Sequence, residues 1–117
     1  MGRTLHYRTK QAVTAEELKL LRRIEEKYNR LHEWKRERIK LWASNAGDPI
    51  PKAVVWGFTK VADDKEGKLV VQAIKEMSNV TPRLTWHMYD EGGLTGCKEL
   101  IIRESKVVEK RDLKILI

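Results

Sequence analysis

Residues Arg3–Leu31, RTLHYRTKQAVTAEELKLLRRIEEKYNRL, switch from a two-residue to a 3.6-residue hydrophobic period. In Arg3–Thr9, Leu5 and Tyr7 alternate with Thr4, His6 and Arg8, the pattern of a strand with one buried face. A helix start follows. Thr14 and Glu17 form the capping box T-x-x-E, and Val13 and Leu18 stand at hydrophobic-staple spacing around it. Glu16 and Glu17 also complement the positive end of the helix dipole. Leu18, Leu21, Ile24, Tyr28 and Leu31 then recur every three or four residues as one apolar stripe.

The stripe can be followed through Trp34 and Trp42 to Ser44. Unbroken, such a helix would have roughly 30 residues and measure about 45 Å, long beside an expected radius of gyration of about 13 Å. Either it bends or breaks near Asn29, or it projects and packs on a second copy.

Downstream, Asn45–Pro51 reads as a loop, with two prolines that stop any helix. Ala53–Val61 (AVVWGFTKV) is the most apolar run and reads as a buried central strand. Asp63 or Asp64 caps a second helix reaching about Asn79, with the stripe Leu69, Val70, Ala73, Ile74 and Met77. Leu84–Tyr89 is a third strand, with Leu84, Trp86 and Met88 on one face. Glu91–Gly96 is a glycine-rich loop. Glu99–Arg103 and Lys106–Glu109 form a hairpin turning at Glu104 and Ser105, and Leu113–Ile117 reads as a short closing strand. The expected fold is α+β, a mixed sheet of order β-α-β-α-β-β-β with both helices on one face. Its first three strands are expected to be parallel through right-handed crossovers.

A chain of 117 residues fits one domain, here residues 1–117. Charged residues make up 35%, and Lys and Glu dominate them, the pattern of heat-adapted proteins. The lone Cys97 excludes an intrachain disulfide. Met1–Lys10 has no apolar stretch of a secretory leader, and no run of the chain is long enough to span a membrane. A cytoplasmic location is the expectation. The net charge is +7, which favours contact with phosphate or other anionic surfaces.

Three places could carry function. The first helix and its continuation hold Arg22, Arg23, Arg30, Lys35, Arg36, Arg38 and Lys40, a candidate phosphate-binding set. Trp34 and Trp42 lie close enough in sequence to stack on bases. The plainer alternative is a solvated helix laced with pairs such as Glu26–Arg30.

Parallel strands would also gather Lys60, Asp63, Asp64, Asp90, Glu91 and Gly92 at their C-terminal edge, together with Arg8, Lys10 and Gly93. Those carboxylates are a candidate ligand edge for a hard divalent cation, or ordinary caps and turns. His87, Asp90, Glu91 and Cys97 suggest a metal or Cys-His site, but His6, His32 and His87 are scattered and lack paired zinc spacing. No metal or cofactor is assigned, and no hydrolase or nucleotide-loop motif is present.

The reading is a binding or interaction module, homodimeric, with nucleic acid as its candidate partner and no membrane role. The alternative is a small metal-dependent enzyme or ligand-binding protein using the acidic edge, so catalysis stays open.

Overall fold

The computed structural model describes residues 3–43, 54–91 and 97–113. Strand β1 spans Arg3–Thr9 and helix α1 spans Ala15–Leu31. The capping box forms as the spacing predicts. The Glu17 amide donates to Thr14 Oγ1 at 3.1 Å, and the Thr14 amide donates to Glu17 Oε1 at 3.0 Å. Leu21, Ile24 and Tyr28 are buried, whereas Leu31 is exposed.

The helix stops at Leu31 and does not continue toward Ser44. His32 takes an extended conformation there. The Asn29 side chain then holds both backbone groups of Ile39, accepting from its amide at 3.0 Å and donating to its carbonyl at 2.8 Å. Glu25 Oε2 accepts from the Leu41 amide at 2.5 Å, and Arg22 donates to the Leu41 carbonyl at 2.7 Å. Residues 32–41 are therefore a return segment lying back along α1, with its own Ile39 and Leu41 buried.

That return explains the largest difference from the sequence reading. A parallel crossover requires the chain to re-enter the sheet directly after its helix. Here it first runs back beside α1, forms the two-residue strand β2 (Trp42–Ala43), and only then enters β3 (Val55–Val61). As a result β3 is antiparallel to β1. Helix α2 (Asp64–Val80) leads to β4 (Trp86–Glu91), also antiparallel to β1 but on its other side. Strands β5 (Cys97–Arg103) and β6 (Lys106–Leu113) complete the sheet.

The sheet order is β2-β3-β1-β4-β5-β6, and every pairing is antiparallel, so the sheet is not mixed. The fold is α+β, with two helices against one face of this sheet. The β5–β6 hairpin turns at Glu104 and Ser105, as expected. The expected closing strand begins at Leu113, the last residue of β6; its remainder, like the loops at 45–51 and 92–96, lies outside the described residues.

The core lies between the sheet and the helices. Leu5 and Tyr7 of β1, Val55 and Val61 of β3, and Trp86 and Met88 of β4 point into it. They meet Leu21, Ile24 and Tyr28 of α1 and Val70, Ala73, Ile74 and Met77 of α2. Asp63 caps α2, its side chain accepting from the Glu66 amide at 2.9 Å.

Gly57 of β3 permits a close crossing. A Cβ there would lie 2.4 Å from the Lys40 carbonyl oxygen and 2.5 Å from Tyr7 Cε2. The Tyr7 hydroxyl shares a hydrogen bond with Thr59 Oγ1 at 2.9 Å and donates to the Lys40 carbonyl at 3.2 Å. The return segment is thereby fastened to the sheet.

Candidate functional site

The helices cover only one face of the sheet. In β3, Val55, Gly57, Thr59 and Val61 are buried while Trp56 and Phe58 are exposed. This strand therefore has one buried face, not two, and its large rings point away from the core. By the same alternation β1 turns His6 and Arg8 outward, and β4 turns out His87 and Tyr89.

These rings form a row. Trp42 of β2 stacks on Trp56 with centroids 5.1 Å apart and planes inclined by 18°. It also lies 5.4 Å from Phe58, at 20°. Phe58 is 6.1 Å from His6, and His6 stacks on Tyr89 at 4.6 Å and 8°. The row crosses four adjacent strands, β2, β3, β1 and β4. A groove of about 350 Å³ opens along it, lined by His6, Arg8, Trp56, Phe58, His87 and Tyr89. That volume is at the small end of ligand sites. Trp56 is 41% exposed and Phe58 39%, two large rings side by side on the face that the helices leave open.

The predicted basic residues divide into groups. Arg22, Arg30, Arg38 and Lys40 line a cleft of about 400 Å³ between α1 and the return segment, with Glu25 and Glu26 among them. Arg22 is paired with Glu25 at 3.1 Å and Arg30 with Glu26 at 3.8 Å. Lys35 reaches Asp63 at 3.3 Å. Arg23 is exposed on α1 and Arg36 is exposed in the return segment. Lys40 connects this cleft to the aromatic row, because its Nζ sits 5.2 Å from the Trp42 ring centre. Of the two tryptophans singled out in the sequence, Trp42 joins the row. Trp34 instead packs against the core, with its ring edge-on to His32.

The acidic residues come together differently from the expectation. Because β1 runs against both β3 and β4, Arg8 and Lys10 lie at the far end from Asp63, Asp64 and Asp90. The N-terminal end of β1 brings Arg3 to the acids instead. Its guanidinium donates to Asp90 at 2.6–3.0 Å and to Asp64 at 2.5 Å. The hydrogen bonds it donates to Asp90 are the main reason the Arg3 guanidinium holds its proton more tightly than usual. A cation already stands between these carboxylates. Lys60 lies on the outward face of β3, beside Phe58. Gly92 and the Glu91 side chain lie outside the described residues. Among the described residues no three His, Cys, Asp or Glu side chains converge as a metal site.

His87 is held by Glu99 of β5 through its Nε2; the Cys97 side chain lies outside the described residues. A second histidine–carboxylate pair is structural. Buried Glu66 accepts from His32 Nε2 at 2.7 Å and from the amides of Lys35 and Ala62 at 3.0 and 2.9 Å. Burial alone would raise the Glu66 carboxyl, but the Ala62 amide, His32 and the Lys35 amide outweigh it and hold it below the usual range.

The sequence reading placed Trp56 and Phe58 in a buried central strand and did not join them with His6 and Tyr89 as one surface. The available signal was size alternation in β3, where small Gly57 and Thr59 face inward between Trp56, Phe58 and Lys60. No helix among the described residues is long and apolar enough to cross a membrane. No protein family, curated protein or solved structure matches the chain.

Proposed function

We propose that the helix-free sheet face binds single-stranded nucleic acid. The observation that carries this reading is the row of five rings across four strands. Every base has a π-face, so aromatic side chains on an open sheet hold unpaired bases with little sequence preference. A duplex hides those faces and gains nothing from the row.

Phosphates need cations beside the rings. Arg8 lines the groove, Lys40 stands over Trp42, and Arg38 neighbours Lys40 in the basic cleft. The net charge of +7 acts in the same direction at longer range. The basic residues read from the sequence thus become the flank of the site, and the sheet becomes its floor.

Anisotropy of a labelled single strand, titrated at low and near-physiological salt, tests this. The single strand should bind more tightly than its duplex. Its affinity should fall with salt at a log–log slope of about −2, as three phosphate contacts imply. Equal or tighter duplex binding contradicts the reading.

A second copy of the chain is the competing occupant, favoured by the exposed side chains of Val54, Trp56 and Phe58 at alternate positions in and just before β3. A solution mass of twice 13.7 kDa that returns to the monomer on Trp56→Glu would assign the face to a homodimer.

A further inference from the structure

We infer that the groove is a slot for one base and that Arg8 makes it selective for guanine, an inference that rests on the single-strand reading. His6 and Arg8 of β1 each face a ring-bearing residue on both neighbouring strands. His6 is opposite Phe58 and Tyr89, and Arg8 is opposite Trp56 and His87. At the first of these positions the middle place is taken by a ring, since the His6 imidazole is 6.1 Å from Phe58 and 4.6 Å from Tyr89. At the second, two residues along, the middle residue is an arginine.

The spacing there suits one more ring. Neighbouring strands lie about 4.8 Å apart, so β3 and β4 stand about 10 Å apart across β1. A planar ring midway meets each wall within the range of about 4.5–7 Å that favours aromatic pairs. The His6 ring already does so one position away. Trp42 packs on Trp56 from the β2 side, which leaves the indole face toward β1. Glu99 holds the opposite wall through His87 Nε2. The groove of about 350 Å³ is lined by these same residues.

Arg8 is what the edge of such a base meets. It is exposed, and among the described residues it makes no hydrogen bond, ion pair or ring contact. Arg3, Arg22, Arg30 and Arg83 are all tied to carboxylates, whereas no described residue lining the groove carries one. A guanidinium fork needs two adjacent acceptors. Guanine offers O6 and N7 on one edge, adenine sets an amino donor beside N7, and thymine has O4 beside a methyl group. Unpaired cytosine offers O2 beside N3, but its single ring covers less of the two walls. On a strand without guanine Arg8 is left to a phosphate; on guanine it turns to the base, while Lys40 and Arg38 keep the phosphates. Guanine should therefore flatten the log–log salt slope by about 0.7, the share of one phosphate contact.

The test titrates the whole chain against labelled thymidine strands that carry one central guanine, hypoxanthine, 7-deazaguanine, adenine or cytosine, with an all-thymidine strand as reference. Guanine and hypoxanthine share O6 and N7, and both should bind about 5- to 150-fold more tightly than adenine. 7-Deazaguanine keeps the ring system but lacks N7, and it should fall to the level of adenine. Arg8→Lys keeps the charge and loses the planar fork. It should bind all the strands alike, with wild-type affinity for the all-thymidine strand. Equal wild-type binding of every strand, tightest binding of cytosine, or 7-deazaguanine bound as tightly as guanine overturns the guanine inference and leaves the single-strand reading standing. A guanine preference that survives Arg8→Lys also overturns it. No binding of any strand overturns both readings.

Discussion

Trp42 of β2 stacks on Trp56 of β3 at 5.1 Å across a pairing only two residues long. So short a strand has little backbone bonding to hold it, and the indole pair supplies much of its anchorage. An offset aromatic pair contributes about 0.5–1.5 kcal/mol beyond its buried area. Trp42→Ala should therefore speed amide exchange in β2 and along the Val55 end of β3, while the β1–β4 amides stay protected. Uniform loss of protection across the sheet would show that β2 is part of the global unfolding unit.

Gly57→Ala should be costly although the new side chain is a single methyl. Its Cβ would meet a backbone carbonyl at 2.4 Å and the Tyr7 ring at 2.5 Å, and neither is the free end of a flexible chain. Overpacking of this kind costs about 1–3 kcal/mol. Urea denaturation measures it, and a wild-type midpoint would mean that the return segment does not cross Gly57 so closely.

Glu66 ties the return segment to the start of α2, and removing it leaves two amides and a histidine without their acceptor. Glu66→Ala should cost about 3–5 kcal/mol. The sign with pH follows from its depressed carboxyl. Its contribution is fully present above the unfolded value near 4.5 and is lost as pH falls through the lower folded value. Tyr7 acts at the other end. Burial pushes its phenol up from 10 to about 12. Its contribution is present below pH 10 and is lost as pH rises toward 12. Thermal melts across pH should show both arms, and Tyr7→Phe should shrink the alkaline one, to which the Tyr28 phenol, also raised by burial, contributes.

The β5–β6 turn places Glu104 and Ser105 at φ of 50° and 58°. A two-residue turn with both φ values positive favours Asn-Gly, and each ordinary side chain there costs about 1–2 kcal/mol. Glu104→Asn with Ser105→Gly should raise the melting temperature by several degrees. The Ser105 amide that donates to Ser78 Oγ at 2.8 Å belongs to the backbone and survives the change.

Local signals in the sequence carried the elements well. The capping box at Thr14, the Asp63 cap and the hairpin at Glu104–Ser105 all depend on neighbours a few residues apart. Strand direction depended on contacts from 10 to 19 residues apart, such as Asn29 with Ile39 and Arg22 with Leu41, and these leave no periodic trace. The aromatic face was hidden for another reason. Trp56 and Phe58 stand among valines, so β3 reads as apolar on both faces when one of them is open. The basic positions were legible as charge, but only the fold shows that Lys40, beyond the helix, reaches an aromatic ring.

The most direct test of the central claim compares two double variants in one single-strand titration. Trp56→Ala with Phe58→Ala removes rings from the sheet face, and Arg36→Ala with Arg38→Ala removes charge from the return segment. If the face is the platform, the first pair loses about 1–3 kcal/mol of affinity for each base released. The second pair then mainly flattens the salt dependence. Wild-type affinity in the ring variant, with binding abolished in the arginine variant, would contradict the account and return the site to the basic segment.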